Sequence, residues 1–230
     1  MLLGLLATFV LLTALVMAGQ ADRFDEVMIR ATHRLLSPGL TSAIEVVSAM
    51  GGKVIAVLPV LVVGLLAQRR PRAAAVVLGV GLGSVALNTP LKVLIHRTPP
   101  GPLPPSPMRW SPNPLDLQQY LSNNYSFPSG HVLAATVIGG LMIYVVRSTL
   151  GGWTLALATA CAGLAVAAVG FSRVYLGTYH PLNDPNAVYY ARHYPTDVLG
   201  ALLLGGAWLI FAILILQRLE ARDEGGPRSE

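Results

Sequence analysis

The chain has 230 residues, of which 53% are hydrophobic and only 12% charged, with a net charge of +5. Soluble domains carry about 25% charged residues, so a globule wetted on all sides is excluded. The arginines are scattered over short loops and ends rather than gathered into a stripe, which excludes a nucleic-acid surface and fits membrane topology.

A bilayer core needs about 20 mostly apolar residues per helix. Six runs qualify in chain order: Leu2–Gly19, Val54–Gln68, Ala73–Ile95, Val132–Val146, Trp153–Phe171 and Val198–Leu216. The second and fourth are short and are expected to extend at one end. Gly19-Gln20-Ala21 would serve as a signal cleavage site, but the missing basic leader favours a retained first helix. Between the first two runs, Phe24, Val27, Met28, Ala31, Leu35 and Leu36 alternate with charges and read either as an interfacial amphipathic helix or as a packed connector. The expected fold is all-α: a polytopic bundle of six transmembrane helices with an interfacial helix, in a single domain spanning 1–230. Cys161, within an apolar run, reads as a small core hydrophobe and lacks the partners of a zinc site, so no metal is expected.

Gln68-Arg69-Arg70-Pro71-Arg72, Arg147 and the tail bearing Arg218, Arg222 and Arg228 fall on one side of this layout. The positive-inside rule makes that side cytoplasmic, with both termini there. A bacterial plasma membrane is the expected location, because no other targeting signal is visible. The outer side receives Gln20–Lys53, His96–Gly130 and Ser172–Asp197. His96, His131, His180 and His193 lie in or beside the last two, and ionisable groups at membrane depth are functional candidates. The loop Thr98–Phe127 is rich in proline and reads as an extended cover, with Met108, Trp110 and Tyr120 placed to touch lipid.

Three pieces carry chemistry. Lys92 precedes His96-Arg97-Thr98-Pro99-Pro100. Phe127-Pro128-Ser129-Gly130-His131 enters the fourth span, where free helix amides suit a phosphate and Gly lets a ligand approach the backbone. Ser172-Arg173 closes the fifth span, and His193-Tyr194-Pro195-Thr196-Asp197 opens the sixth. Together they suit phosphoryl transfer, which needs spreading negative charge held by preorganised donors. Lys92, Arg97, Arg173 and the Ser129 hydroxyl are such donors. A neutral imidazole can attack phosphorus, a carboxylate can orient it, and a second histidine can protonate the leaving alkoxide. No cofactor is required.

Lys92, Pro128-Ser129-Gly130-His131, Ser172-Arg173-Val174-Tyr175-Leu176-Gly177 and His193-Tyr194-Pro195-Thr196-Asp197 resemble the three signature motifs of the type 2 phosphatidic acid phosphatase family. That family also includes vanadium haloperoxidases and glucose-6-phosphatase. The likeness of motifs runs from about Lys92 to Gly200. It implies His193 as nucleophile, Asp197 as its orienting partner and His131 as general acid, with Lys92, Ser129, Gly130 and Arg173 binding phosphate. Two departures stand out. The arginine expected after six intervening residues beyond the lysine is replaced by Pro99, and Arg97 is expected to take over its phosphate-binding role, with Arg109 or Arg192 in reserve. The histidine expected five residues after Ser172-Arg173 is displaced. His180 and Asp184 form an alternative His-x-x-x-Asp pair, but Asp197 leads directly into the last helix, so Tyr179–Arg192 reads as a 14-residue insertion, either a lid or a surface bulge. The implied activity is metal-independent hydrolysis of a lipid phosphomonoester or polyprenyl diphosphate through a phosphohistidine at the extracytoplasmic face. The alternatives are a lipid phosphotransferase and a non-catalytic lipid-binding or transport protein with a relic site. The sequence is silent on which lipid is used and on oligomeric state.

Overall fold

The computed structural model describes residues 1–100, 125–178 and 193–224. The proline-rich loop beyond Pro100, Arg109, the 179–192 insertion with His180, Asp184 and Arg192, and Arg228 lie outside the described residues. Eight α-helices are seen among the described residues: α1 Leu2–Met17, α2 Asp22–His33, α3 Pro38–Lys53, α4 Val57–Ala67, α5 Pro71–Ile95, α6 Gly130–Val146, α7 Gly152–Thr178 and α8 Pro195–Glu224. In hydrocarbon every backbone polar group must be satisfied within its own segment, which leaves the helix as the natural choice for such apolar runs.

The spans differ from the six expected. Four helices are long and apolar enough to cross a membrane: Pro38–Ala67, Pro71–Ile95, Gly152–Leu176 and Pro195–Arg222. The pair Leu2–Met17 and Asp22–Thr32 makes a fifth if counted as one span bent by 89°. Gly130–Val146 is apolar but shorter. The run at Val54–Gln68 is the second half of a 30-residue rod that begins at Pro38. A single 3₁₀ turn, Val54–Ala56, joins its halves. Part of the segment assigned to the outer side therefore belongs to a helix long and apolar enough to cross a membrane. The rod went unread because Ser, Thr, Glu and Gly in α3 dilute its apolar periodicity; Ser37, capping Leu40 N, and Pro38 at the first turn start the helix nonetheless.

At the α1–α2 corner, Gly19 adopts a left-handed φ of 71°. Gln20 N donates to Leu15 O (3.0 Å) and Gly19 N to Val16 O (3.1 Å), which closes the helix end and turns the chain sharply. On α2, Phe24, Val27 and Met28 are exposed while Asp25 is buried. The amphipathic helix exists, but with an acidic residue facing the protein.

α6 packs against α5, α7 and α8, α1 lies along α8, and α3 lies along α7. One apolar cluster joins α4, α5, α6 and α8 through Leu58, Leu65, Val77, Leu141 and Leu216. A second gathers Phe9, Phe127, Val132, Leu133, Val169 and Ala201 beneath the His193 end. Cys161, expected in a core, is exposed on α7. In a membrane helix an apolar run covers the lipid face as well as the packed one, so apolar company does not imply burial.

Close helix approach depends on small residues. A Cβ on Gly200 would fall 2.5 Å from Phe127 Cζ, and this contact holds the loop before α6 against α8. Gly200→Ala should therefore cost about 1–3 kcal/mol by overpacking. A lowered Tm of the purified protein in detergent checks this, and an unchanged Tm contradicts it.

Candidate active site

Three helix ends meet at one end of the bundle. α5 stops at Ile95 because His96 takes a left-handed φ of 50°. His96 N donates to Lys92 O (3.0 Å), and the reversal sends Arg97 across the bundle top. Lys92, one turn before this end, is buried and donates from Nζ to Tyr125 O. Ser126 N donates to Arg97 O (2.8 Å), which ties the segment before α6 to the end of α5. Ser129 N then donates to Asp197 O (3.1 Å), which pins the start of α6 to the start of α8.

At the start of α8, Asp197 Oδ2 accepts from Tyr194 N (2.7 Å). A carboxylate in the first helical turn reaching back to the capping residue is half of a capping box, and it is stabilised there by the helix dipole. His193 Nδ1 lies 3.5 Å from the same Oδ2. That is longer than an ordinary hydrogen bond, but the alignment leaves Nε2 as the nitrogen turned away from the carboxylate. Both residues are buried.

The other expected residues gather around this pair. Asp197, Lys92, Arg173 and His131 interact electrostatically with one another or with His193. Arg173, from the last turns of α7, is buried and donates from Nη1 to Ser48 Oγ of α3 (2.6 Å). The Ser129 hydroxyl is buried with no hydrogen-bond partner among the described residues, an arrangement that natural proteins rarely leave unfilled by some ligand or water. His131 Nε2 borders Gly52, where a Cβ would sit 3.1 Å away. Gly130 is backed by Asn88, whose Nδ2 would meet a Cβ at 2.7 Å. The absence of a side chain at Gly130 thus serves helix packing, in addition to the ligand approach expected of it.

Arg97 is placed otherwise than expected. Its Nη1 donates to Asp197 Oδ1 (2.8 Å) and Thr196 Oγ1 (2.6 Å), and its Nη2 to Asp25 Oδ2 (2.6 Å). Tyr194 stacks on it, with the guanidinium carbon 4.0 Å from the ring centroid. Burial works against its charge, yet the carboxylates of Asp197 and Asp25 override that and raise its pKa. The fork that was to hold phosphate is spent on carboxylates. Asp25, Thr196, Ser48 and Asn88 are the participants that sequence reasoning missed. Among the described residues no group of three or more His, Cys, Asp or Glu is gathered to hold a metal ion. The cationic donors instead suit an anion.

A family model described as the PAP2 superfamily matches residues 72–184. Over that segment the chain is similar to the superfamily. The matched segment contains Lys92, Ser129, Gly130, His131 and Arg173, and it ends before His193 and Asp197. A search of curated proteins finds no match. Among solved structures, the chain is similar to the first transmembrane PAP2 type phosphatidylglycerolphosphate phosphatase from Bacillus subtilis, with a TM-score of 0.73 at 22% identity. The likeness covers 94% of this chain and 96% of that one. It extends the shared fold well beyond the matched segment, to α1 through α4 and to α8. With its apolar helices and this likeness to a transmembrane protein, the chain is a membrane protein.

Burial pushes the His193 pKa down from 6.5 to about 4; the nearby Asp197 carboxylate opposes the shift, and Lys92 and Arg173 add to it. The ring is thus neutral at physiological pH. The unfolded chain takes up a proton near pH 6.5 and the folded one only near 4, so folding stability is lost as pH falls through that window. His193→Gln should remove its share of this loss. The check is Tm against pH for wild type and variant; parallel curves between pH 6.5 and 4 would contradict the assignment.

Proposed function

We propose that this protein is a membrane phosphatase that removes phosphate from a lipid through a phosphohistidine. The observation that carries the reading is the convergence of His193, 3.5 Å from Asp197, with the half-buried His131 and the buried Lys92, Arg173 and Ser129 in one cation-rich cluster at joined helix ends.

The groups divide the reaction between them. Lys92, Arg173 and the Ser129 hydroxyl hold the phosphoryl oxygens and neutralise the charge that spreads over them in the transition state. His193 Nε2 attacks phosphorus, the P–O bond to the lipid breaks, and His131 gives a proton to the departing alkoxide. The imidazolium formed at His193 is stabilised by Asp197 through Nδ1. Water then attacks the phosphohistidine while His131 takes its proton. The P–N bond breaks, phosphate leaves, and both rings return to their starting states.

A lipid is favoured by the surroundings. A largely apolar groove of about 730 Å³, lined by Gly52, Ile55, Ser84, Val85, Asn88 and His131, runs between the α3–α4 rod, α5 and α6 and reaches the cluster at His131. A head group can enter there while its chain stays in hydrocarbon. The opposite end of the bundle carries Arg69, Arg70, Arg72 and Arg147. By the positive-inside rule that end is cytoplasmic, which puts the reaction and the His193 end outside, with both termini inside.

Purified protein should release inorganic phosphate from at least one of phosphatidic acid, phosphatidylglycerol phosphate or a polyprenyl diphosphate, with or without chelator. His193→Ala should fall below about 10⁻³ of wild-type turnover, and His131→Ala should lose about 10²- to 10⁴-fold. An alkaline quench should trap phosphate on His193. Turnover that survives either change, or that is abolished by chelator, refutes the mechanism.

A further inference from the structure

Asp25 lies on α2, outside residues 72–184, and is not exposed at all (0%). A buried carboxylate is costly unless charges and hydrogen bonds compensate it. Here the compensation comes from one place. Asp25 Oδ1 accepts from Thr196 N (2.9 Å), and Oδ2 accepts from Thr196 Oγ1 (2.5 Å) and Arg97 Nη2 (2.6 Å). Asp25 therefore caps the first turn of α8 from a different helix, an unusual source for a cap. Thr196 Oγ1 gives its proton to Asp25 and accepts Arg97 Nη1 (2.6 Å), while the same Nη1 reaches Asp197 Oδ1 (2.8 Å). Asp25, Arg97 and Asp197 make a hydrogen-bonded run that ends with Asp197 Oδ2 3.5 Å from His193 Nδ1.

We propose that Asp25 is a positioning residue for the His193–Asp197 pair, holding the Arg97 guanidinium that fixes the Asp197 carboxylate against His193. The inference rests on the phosphatase reading and deepens it. Charge explains why one arginine needs two acids. Arg97 alone would neutralise Asp197 and leave little to stabilise the imidazolium that forms as His193 bonds to phosphorus. With Asp25 sharing the guanidinium, the buried trio Asp25, Arg97 and Asp197 carries a net charge of −1, with the exposed Asp22 carboxylate 3.8 Å from Arg97 Nη2, so Asp197 keeps charge for the +1 that develops on the ring. A link that merely docked α2 would need only the Thr196 backbone bond, whereas here the arginine lies between both carboxylates. Arg97 thereby acts on the nucleophile and not on the phosphate.

The test is a double-mutant cycle on kcat and KM, using a short-chain phosphatidic acid in detergent with wild type, Asp25→Asn, Asp197→Asn and the double variant. Asp25→Asn should lower kcat by roughly 10- to 100-fold, the scale of a small misplacement of a reacting group, with KM unchanged. In the Asp197→Asn background it should cost nothing further, because residues acting as one unit are non-additive. Wild-type kcat in Asp25→Asn, a rise in KM alone, or additive losses overturn the inference while leaving the phosphatase reading intact. A wild-type chain inactive on every lipid phosphate overturns that reading, and this inference with it. Should Asp25→Asn fail to fold, the isosteric Thr196→Val, which cuts the hydroxyl links and keeps the backbone bond, replaces it in the same cycle. Coupling to Asp197→Asn then supports the inference, and additivity defeats it.

Discussion

A fully buried carboxylate at the head of an apolar helix, Asp197, is the constraint around which the functional end of the molecule is arranged. Such a group is tolerated only when charge and hydrogen bonds meet it from several sides. Tyr194 N meets it from its own helix, Arg97 from the end of α5, and His193 from the preceding turn. Arg97 is a charge that itself needs a counterpart, and Asp25 supplies this from α2. Each buried charge thus recruits another helix, so the requirement to pair them draws α2, α5 and α8 together, with Ser129 N of the α6 entry bonded to the Asp197 carbonyl.

The opposite end follows the same logic in wetter surroundings. Glu220 of α8 pairs with Arg70 at the α4–α5 turn (2.5 Å) and with Arg147 at the end of α6 (2.6 Å), and it accepts from Tyr144 (3.1 Å). These groups remain partly exposed, so solvent screening keeps each ion pair modest. Between the two ends no charge is needed, and packing rests on shape: Gly81 receives Leu58, Gly140 receives Leu209, and Gly205 receives Thr136. A bundle clamped by ion pairs at both ends and joined by small residues between them suits a setting where lipid offers no hydrophobic drive for helices to associate.

Several candidate site residues stand out because they belong to local signals. Ser129, His131, His193 and Asp197 sit at helix starts, and Lys92 and Arg173 at helix ends, where sequence marks the boundary. Arg97 was noticed but its partners were not, because its direction depends on the left-handed turn at His96, which sequence does not reveal. Asp25 was hidden for a related reason. Periodicity shows that α2 has an apolar and a polar face but not which face meets protein and which meets the interface. The usual assumption sends the acid to water, yet here Phe24, Val27 and Met28 are the exposed residues.

The amino-acid order by itself determined that the chain is apolar and helical, where most helices begin and end, and which residue types are candidates for chemistry, since these depend on composition and on contacts within a few residues. The three-dimensional arrangement alone decided that Pro38–Ala67 is one rod, that Cys161 faces outward, and that Arg97 serves Asp197 and Asp25. Those outcomes depend on how each helix is rolled and what lies across from it. Contacts between residues 72 and 171 positions apart set that geometry, and no local pattern encodes them.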